Sequence, residues 1–548
     1  MRAKTTSEGA RRQPTPAARL LRASTATLVM IAACGDSGDP ASTSDTATTS
    51  GGSTDASTGE ATGSTSTSTS GSSTSSSSSG SGSESDGSSG TTGVDENPNL
   101  AACGMGYAVP GTEQVPGDAE AGYYALLGEG YVTCGIPYAL FPIAKPFLGS
   151  FAEGEVLPGR TGKNATVPYN WTVHTSKSSG AEIVSLNCLE CHAGHFNGEL
   201  IIGLGKADAD YTESIGGFLA KIPVPGIPIP GLEEMTRMAQ RYQIVGDYTK
   251  MLVVGTNPAD GLAAVLSAHR DADTLEWSDD PLIPIGDFVV PADTPPWWNT
   301  KKKHGLFCNG MSRGDHRATM IYATSLCTDS VEEAAGILSY FNNIRAFIMS
   351  VEAPKYPFAV DDALADAGEA IFAENCSCCH GVYADDPAAE SYPNLLIPLD
   401  VVGTDGYLAS EADALPFAGW FNGSWYGEIG KLTTGDPFVG YLAPPLDGIW
   451  ATAPYFHNAS VPTLDLVLQS GARPQYWRRV DYESTHYDQE AVGWPWKELA
   501  YGQEGAPESE RKHVYDTTVV GHSNSGHPFG DHLSDEDRRA LIEYLKTI

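Results

Sequence analysis

Cys188-Leu-Glu-Cys191-His192 and Cys376-Ser-Cys378-Cys379-His380 repeat one spacing, CxxCH, and nothing else in the 548 residues limits the fold as strongly. Two thiols three residues apart on a short helical turn can add to the two vinyl groups of one haem. The His that follows then comes up beneath the iron as its proximal ligand. A redox CxxC pair and half of a zinc site are the competing readings. Neither accounts for a His directly after the second Cys twice over, and no further Cys pair completes a zinc set. Cys188, Cys191 and His192, and then Cys376, Cys379 and His380, are expected to hold two covalently bound haems c.

Ten cysteines are present. With the four haem thiols and Cys34 set aside, Cys103, Cys134, Cys308, Cys327 and Cys378 remain. In an oxidising compartment Cys103–Cys134 and Cys308–Cys327 are the expected disulfides, since they close short sequence loops. Spacing alone leaves the connectivity unproven. Cys378 is left over inside the second motif, as a buried free thiol.

The N-terminus reads as an export signal joined to a tether. Arg2, Lys4, Arg11, Arg12, Arg19 and Arg22 form a basic region, and Ala23 to Ala33 is an apolar stretch too short to span a bilayer. Ile31-Ala32-Ala33-Cys34 resembles the lipobox of bacterial lipoproteins, which implies cleavage before Cys34 and lipidation of its thiol. An ordinary signal peptide with Cys34 incidental is the alternative. From Ser50 to Gly93, 38 of 44 residues are Ser, Thr or Gly, so the segment has no apolar surface to offset chain entropy. A flexible linker of about 60 residues has an r.m.s. reach of roughly 45 Å. The expected organisation is a lipoprotein signal peptide at 1–33, a disordered linker at 34–97 and a globular part beyond it, although a glycosylated stalk has the same composition.

Helical patterning divides that globular part. Leu364, Ala367, Gly368, Ile371 and Phe372 share one face of a helix leading into Cys376. Ser534, with Asp537 three residues on, starts a terminal helix carrying Leu541, Ile542, Leu545 and Ile548 as its apolar stripe. A third helix runs from Ser330, with Glu333 as capping partner, through Ile337, Leu338, Phe341, Ile344, Phe347 and Ile348, before Pro354 and Pro357. Ile222 to Pro230 is too rich in Pro and Gly to be helical. The expected fold is mainly α: two cytochrome c-like haem domains with long loops, at 98–352 and 353–548.

The sixth iron ligand separates a carrier from an enzyme. Met or His there gives an electron carrier, whereas an open position admits peroxide or oxygen. No methionine occurs after Met349, so the second haem takes none from its own domain. Its candidates are His457, His486, His513, His522, His527 and His532, and a bis-His haem is expected. The first domain offers Met235, Met238, Met251, His174 and His269, none in a distinguishing motif. His195 follows His192 too closely to reach the opposite face.

Thr452-Ala-Pro-Tyr-Phe-His457-Asn, followed by Val461-Pro-Thr-Leu464, resembles the segment shared by bacterial dihaem cytochrome c peroxidases and their relatives. Those relatives include the dihaem enzymes of methylamine utilisation and the dihaem rubber oxygenases. Gly130-Tyr-Val-Thr-Cys134-Gly-Ile-Pro-Tyr138, Pro296-Trp-Trp298 and Asn524-Ser-Gly-His527-Pro-Phe-Gly are most similar to the rubber-oxygenase-like branch. The resemblance spans roughly Cys103 to Ile548. Classical peroxidases of the group carry a Met ligand fourteen residues after the shared His; Gly471 stands there, outside that pattern. The resemblance implies that His527 is the sixth ligand of the second haem, that His457 is a hydrogen-bonding neighbour of it, and that His192 carries the active haem with an open distal side. It also implies a Trp relay between the haems, at Trp297 and Trp298, with a core role as the alternative. Phe307 has no motif that fixes it in the distal pocket. A calcium ion between the domains is implied as well, with no ligands identified.

The leading expectation is an exported dihaem oxidoreductase, lipid-anchored to the bacterial envelope, periplasmic or at the cell surface. Its first haem activates hydrogen peroxide or dioxygen, and its second transfers electrons. A membrane-tethered electron carrier with both haems six-coordinate is the alternative, and a haem-bearing sensor a third. The formal charge of −35 suits a cationic redox partner protein and argues against nucleic acid, since no basic surface is available to neutralise phosphates. No apolar run reaches the length of a spanning helix, so contact with a membrane is expected through the lipid alone.

Overall fold

Ser330 opens the longest helix among the described residues, Val331–Ser350, as its spacing predicts: its Oγ accepts from the Glu333 N–H at 3.2 Å. The Glu333 carboxylate reaches back one residue further than a standard capping box and accepts from Asp329 N. Ala334, Ile337, Phe341, Ile344 and Ile348 form the buried stripe. That stripe crosses the Ala119–Gly128 helix at Gly122, where a Cβ would lie 1.9 Å from the Asn343 carbonyl oxygen. The second half repeats the device. Asp362–Asn375 leads into the Cys376 motif and crosses the terminal Asp535–Leu545 helix, capped by Ser534, at Gly368; a Cβ there would lie 2.0 Å from Ala540 O. Each crossing needs a glycine because the two backbones touch.

The computed structural model describes residues 97–548, apart from 225, 287–289, 385, 415 and the side chains of 411–414. The expected leader, Cys34 and the Ser/Thr/Gly linker lie outside the described residues. Within them, no helix is long and apolar enough to cross a membrane.

The fold is mixed α/β, which corrects the expectation of a mainly α protein. Helical turns of all kinds take 39% of the described residues and strands 13%. The strands pair in five small antiparallel sheets. The first haem motif shows why: it follows a hairpin, Trp171–Thr175 paired with Glu182–Leu186, with Val173 opposite Val184. Both strands carry β-branched residues and bury three in succession, Trp171 to Val173 and Ile183 to Ser185, a short run that a search at 3.6 residues passes over.

The described residues form one compact unit with two main cores. The first is built mostly from residues before 352, and the second gathers Phe372, Trp450, Tyr455, Leu541 and Leu545. Chain crosses the expected boundary in both directions. Phe417, Trp420, Phe421 and Tyr426 return from the second half to surround Tyr322 in the first core. Tyr107–Ala108 pairs with Leu395–Pro398.

The disulfides differ from those expected from loop length. Cys103 is bonded to Cys378, and Cys134 to Cys327, with Cα separations of 6.1 and 5.8 Å. Cys308 is free, and Cys378, expected as a free thiol, is bonded and exposed. Folding, and not sequence separation, brings these pairs within reach. Cys134 enters the edge strand Ile136–Pro137 of the first sheet. Cys327 lies in the turn whose Leu326 carbonyl is held by Arg241, and whose Asp329 is held by Arg237 and Arg241, of the Leu232–Val245 helix.

Glu234 anchors that helix from within. It is 2% exposed and accepts from Ser176 Oγ at 2.5 Å, from Ser178 Oγ and from Arg237 Nη2 at 2.7 Å. Burial works to raise its pKa, but the two hydroxyls and the guanidinium outweigh it and hold the carboxyl below its ordinary value. A carboxyl depressed on folding contributes stability that is present above its unfolded pKa and lost as pH falls through the folded one. Glu234→Gln should therefore unfold at lower denaturant than the parent at pH 7, with the gap closing below about pH 4. A gap that stays constant between pH 7 and pH 3 would assign the loss to packing instead.

Candidate haem-binding sites

The first motif is a single 3-10 turn, Cys188–Glu190, capped by Asn187 Oδ1 accepting from Leu189 N at 2.9 Å. Tyr131, buried beneath it, accepts from Cys188 N and donates to the Leu126 carbonyl. The Cys191 thiol meets Tyr211 OH at 3.4 Å. Both thiols are free, and burial pushes Cys188 up to about 11, so it is a neutral thiol at pH 7. Two backbone bonds set the imidazole. Gly203 N donates to His192 O, and Trp297 N donates to Gly203 O, each at 2.8 Å. Trp297 is thereby laid on the His192 ring, with centroids 5.1 Å apart and planes 25° from parallel. Gly203 has φ +95°, and a Cβ on it would press on the Trp297 side chain. Burial lowers the His192 pKa to about 4; the Pro295 carbonyl offsets part of this, at a geometry too loose for a hydrogen bond.

The second motif begins where the Asp362–Asn375 helix stops. Cys376 N still bonds to Phe372 O, and His380 N bonds to Cys376 O at 2.9 Å. Cys376 and Cys379 are free thiols. His380 Nδ1 donates to the Pro444 carbonyl at 2.8 Å, leaving Nε2 as the lone-pair nitrogen. The His527 ring stands across from it, with centroids 6.3 Å apart. That gap admits one metal ion bonded to both rings at about 2 Å, a typical metal–imidazole distance. Burial, with the neighbouring His380 and Arg473, lowers the His527 pKa to about 3, so the ring is neutral and able to ligate. Its Nδ1 has no hydrogen-bond partner.

The loop carrying His527 is held in a strained form. His527 has φ +48° and Gly526 φ +80°, with His527 N donating to Val402 O at 2.7 Å. A Cβ on Gly526 would come within 2.2 Å of the Gly403–Thr404 backbone. Arg473 spans the loop, donating from Nη1 to the carbonyls of Asn524 and Gly526 at 2.7 and 2.6 Å and from Nε to Leu466 O at 2.9 Å. Sequence reasoning passed over Arg473.

The two sites meet through a feature present in the sequence and not singled out. Thr294-Pro-Pro-Trp297 and Ala443-Pro-Pro-Leu446 share a Pro-Pro pair, and the first proline of each brings its carbonyl to a proximal His. The two segments are bonded to one another. Trp298 Nε1 donates to Asp447 O at 2.7 Å, and Asn299 Nδ2 donates to Pro445 O at 2.9 Å. Trp297 packs in the first core and Trp298, wholly buried, in the second. Neighbouring tryptophans thus belong to opposite cores. A repeated Pro-Pro, one following each CxxCH, was the available signal.

His457 stacks on Tyr441, centroids 4.2 Å apart, and its Nε2 lies 3.1 Å from the phenol, which donates to Asp405 O. Burial pushes its pKa down to about 3. The other candidate histidines are engaged elsewhere. His486 bonds Asp481, His513 meets Tyr482 OH, His522 Nδ1 is near Val520 O, and His532 meets Asn375. His174 bonds Ser185, His269 stacks on Trp277, and His195 packs against Tyr169. Met235, Met238 and Met251 are buried in the first core, where Phe307, at φ +67°, also packs. Among the described residues no group of three or more His, Cys, Asp or Glu side chains could hold a metal ion, so no such cluster marks the expected calcium.

Comparison with known proteins agrees with this chemistry over one segment. Residues 440–478, which carry Tyr441, Pro444, Asp447, His457 and Arg473, match the family described as RoxA-like, cytochrome c-like. The chain is 28% identical over 330 residues to the uncharacterized protein y4iM of Sinorhizobium fredii, covering 52% of this chain and 70% of that protein. It is also 28% identical over 258 residues to the uncharacterized protein y4iJ of the same organism, covering 36% of this chain and 41% of the relative. A RoxA-like cytochrome c-like domain is present at 440–478, and it implies haem c.

Proposed function

We propose that this chain is an exported dihaem c-type cytochrome oxidoreductase. Cys188, Cys191 and His192 would hold the haem at which hydrogen peroxide or dioxygen reacts. Cys376, Cys379, His380 and His527 would hold the haem that takes up and delivers electrons. Haem c, when bound, supplies the oxygen and one-electron chemistry, and the protein supplies orientation, exclusion of water and a connection between sites.

The observation that carries the reading is an asymmetry. His380 faces a second imidazole at the spacing of a shared metal, whereas the aromatic partner of His192 is Trp297. Paired histidines favour electron transfer; a His with no such partner leaves the sixth position to a small oxidant. The Pro444 carbonyl fixes the His380 tautomer, and Arg473 and Gly526 position His527 against it. Trp297 on His192, followed by Trp298 bonded to the Asp447 backbone three residues from Pro444, gives a hydrogen-bonded connection between the two proximal sides. Export is supported by the leader-like N-terminus and by two disulfides, which persist in oxidising compartments. The lipobox-like Cys34 supports a lipid anchor, and the acidic charge a cationic redox partner protein.

Low-temperature EPR of the haem-loaded ferric protein tests the reading. One high-spin centre that cyanide converts to low-spin is expected, beside one low-spin centre that ignores cyanide. His527→Gly should make the second centre respond too, raising cyanide uptake from about one to about two per chain. Arg473→Ala should do so in part while Arg473→Lys does not, which marks Arg473 as a positioning residue. Two low-spin centres indifferent to cyanide, both as oxidised and after half-reduction, would replace the enzyme by a tethered carrier with two six-coordinate haems.

A further inference from the structure

The second motif contains three thiols in four residues, Cys376, Cys378 and Cys379, where haem attachment uses two. The first motif has no such surplus: Glu190 occupies the place equivalent to Cys378. The extra thiol is the one taken by the long-range disulfide to Cys103, and Cys376 and Cys379 remain free. We propose that the Cys103–Cys378 disulfide reserves Cys376 and Cys379 for the second haem by removing the competing thiol between them. The inference rests on the haem reading of this motif and extends it to how the attachment sites are selected.

The segment that presents Cys103 is built onto this motif. Pro98–Gly104 is a short helix with Pro at its first position and Asn97 as its cap. Asn97 Nδ2 donates to Glu374 O at 3.1 Å and to Asn375 Oδ1 at 3.0 Å. Asn99, 5% exposed, donates from Nδ2 to Phe529 O at 3.0 Å and to Asn375 O at 3.3 Å. One amide therefore ties the residue before Cys376 to the loop two residues beyond His527. Cys103 is itself 7% exposed, while Cys378 faces solvent. Without its partner, Cys378 would be an accessible thiol beside two others.

The chemistry separates the two fates of a thiol. A thioether forms when one S–H adds across one haem vinyl double bond; the proton goes to carbon and no electrons leave. A disulfide forms when two thiols lose two protons and two electrons, here to an external disulfide oxidant of the exporting compartment. Pairing Cys378 with Cys103 prevents it from pairing with Cys376 or Cys379, or from taking a vinyl group in their place. Its position next to Cys379 puts those reactions within reach of any fluctuation of the unpaired motif.

Intact mass and peptide mapping of the exported, haem-loaded full chain test this, using the parent, Cys103→Ser, Cys378→Ser and the double variant. The parent should carry thioethers at Cys376 and Cys379. Cys103→Ser should lose at least half of that attachment, with the deficit recovered as chains lacking the second haem or linked through Cys378. Cys378→Ser and the double variant should attach the haem as the parent does. The double variant lacks the same cross-link as Cys103→Ser, so lost stability would leave both equally defective, and that result would overturn the proposal. Normal attachment in Cys103→Ser would overturn it as well. Thioethers at Cys188 and Cys191 should be unchanged throughout. A parent without haem at Cys376 and Cys379 would instead sink the haem reading, and is seen before any variant is compared.

Discussion

Trp298 is wholly buried, and its indole N–H has one destination, the Asp447 carbonyl at 2.7 Å. Much of the arrangement depends on that bond. It locks the segment that lies on His192 against the segment that orients His380, and so sets the two histidines relative to each other. Gly448, at φ +59°, follows directly, and its missing Cβ leaves room for the indole edge. A side chain there would press on the indole edge and on Ala353, and its backbone would be strained at a positive φ. The buried polar group, satisfied by one carbonyl, gives the junction a single register.

Burial has a consistent electrostatic effect around the two centres. His192, His380, His457 and His527 are all shifted towards the neutral form, chiefly by desolvation. A neutral imidazole keeps a lone pair on one ring nitrogen, so exclusion of water holds these rings in the form able to accept a bond. Orientation is separate work. It is done by backbone carbonyls, Pro444 for His380, and by the phenol of Tyr441 for His457, groups that add no net charge to the interior.

Both CxxCH motifs stand out by their spacing, and the helices Val331–Ser350, Asp362–Asn375 and Asp535–Leu545 were legible because amphipathic periodicity and side-chain caps are local signals. Ser330, Ser534 and the approach to Cys376 all behave as those signals require. The strands were not legible in the same way. Trp171–Thr175 and Glu182–Leu186 are five residues each, and a helix-period reading treats such segments as loop. Disulfide partners were misjudged because loop length measures the entropy of the unfolded chain and says nothing about which cysteines folding brings together. Arg473 was invisible for a related reason: its hydrogen bonds go to backbone carbonyls, including those of 524 and 526, which no side-chain motif records.

Phe417, Trp420, Phe421 and Tyr426 fill the first core around Tyr322 although they are encoded far beyond it, and Trp420 closes on the Arg270 carbonyl at 2.8 Å. This has a consequence for a chain that emerges vectorially from its N-terminus. The first half cannot complete its interior when its own residues are through; it waits for the 416–432 stretch to arrive. Both cysteine pairs are then exposed together on an open polypeptide for the same interval. The two cores therefore close together, with no finished half to stand apart from an unfinished one.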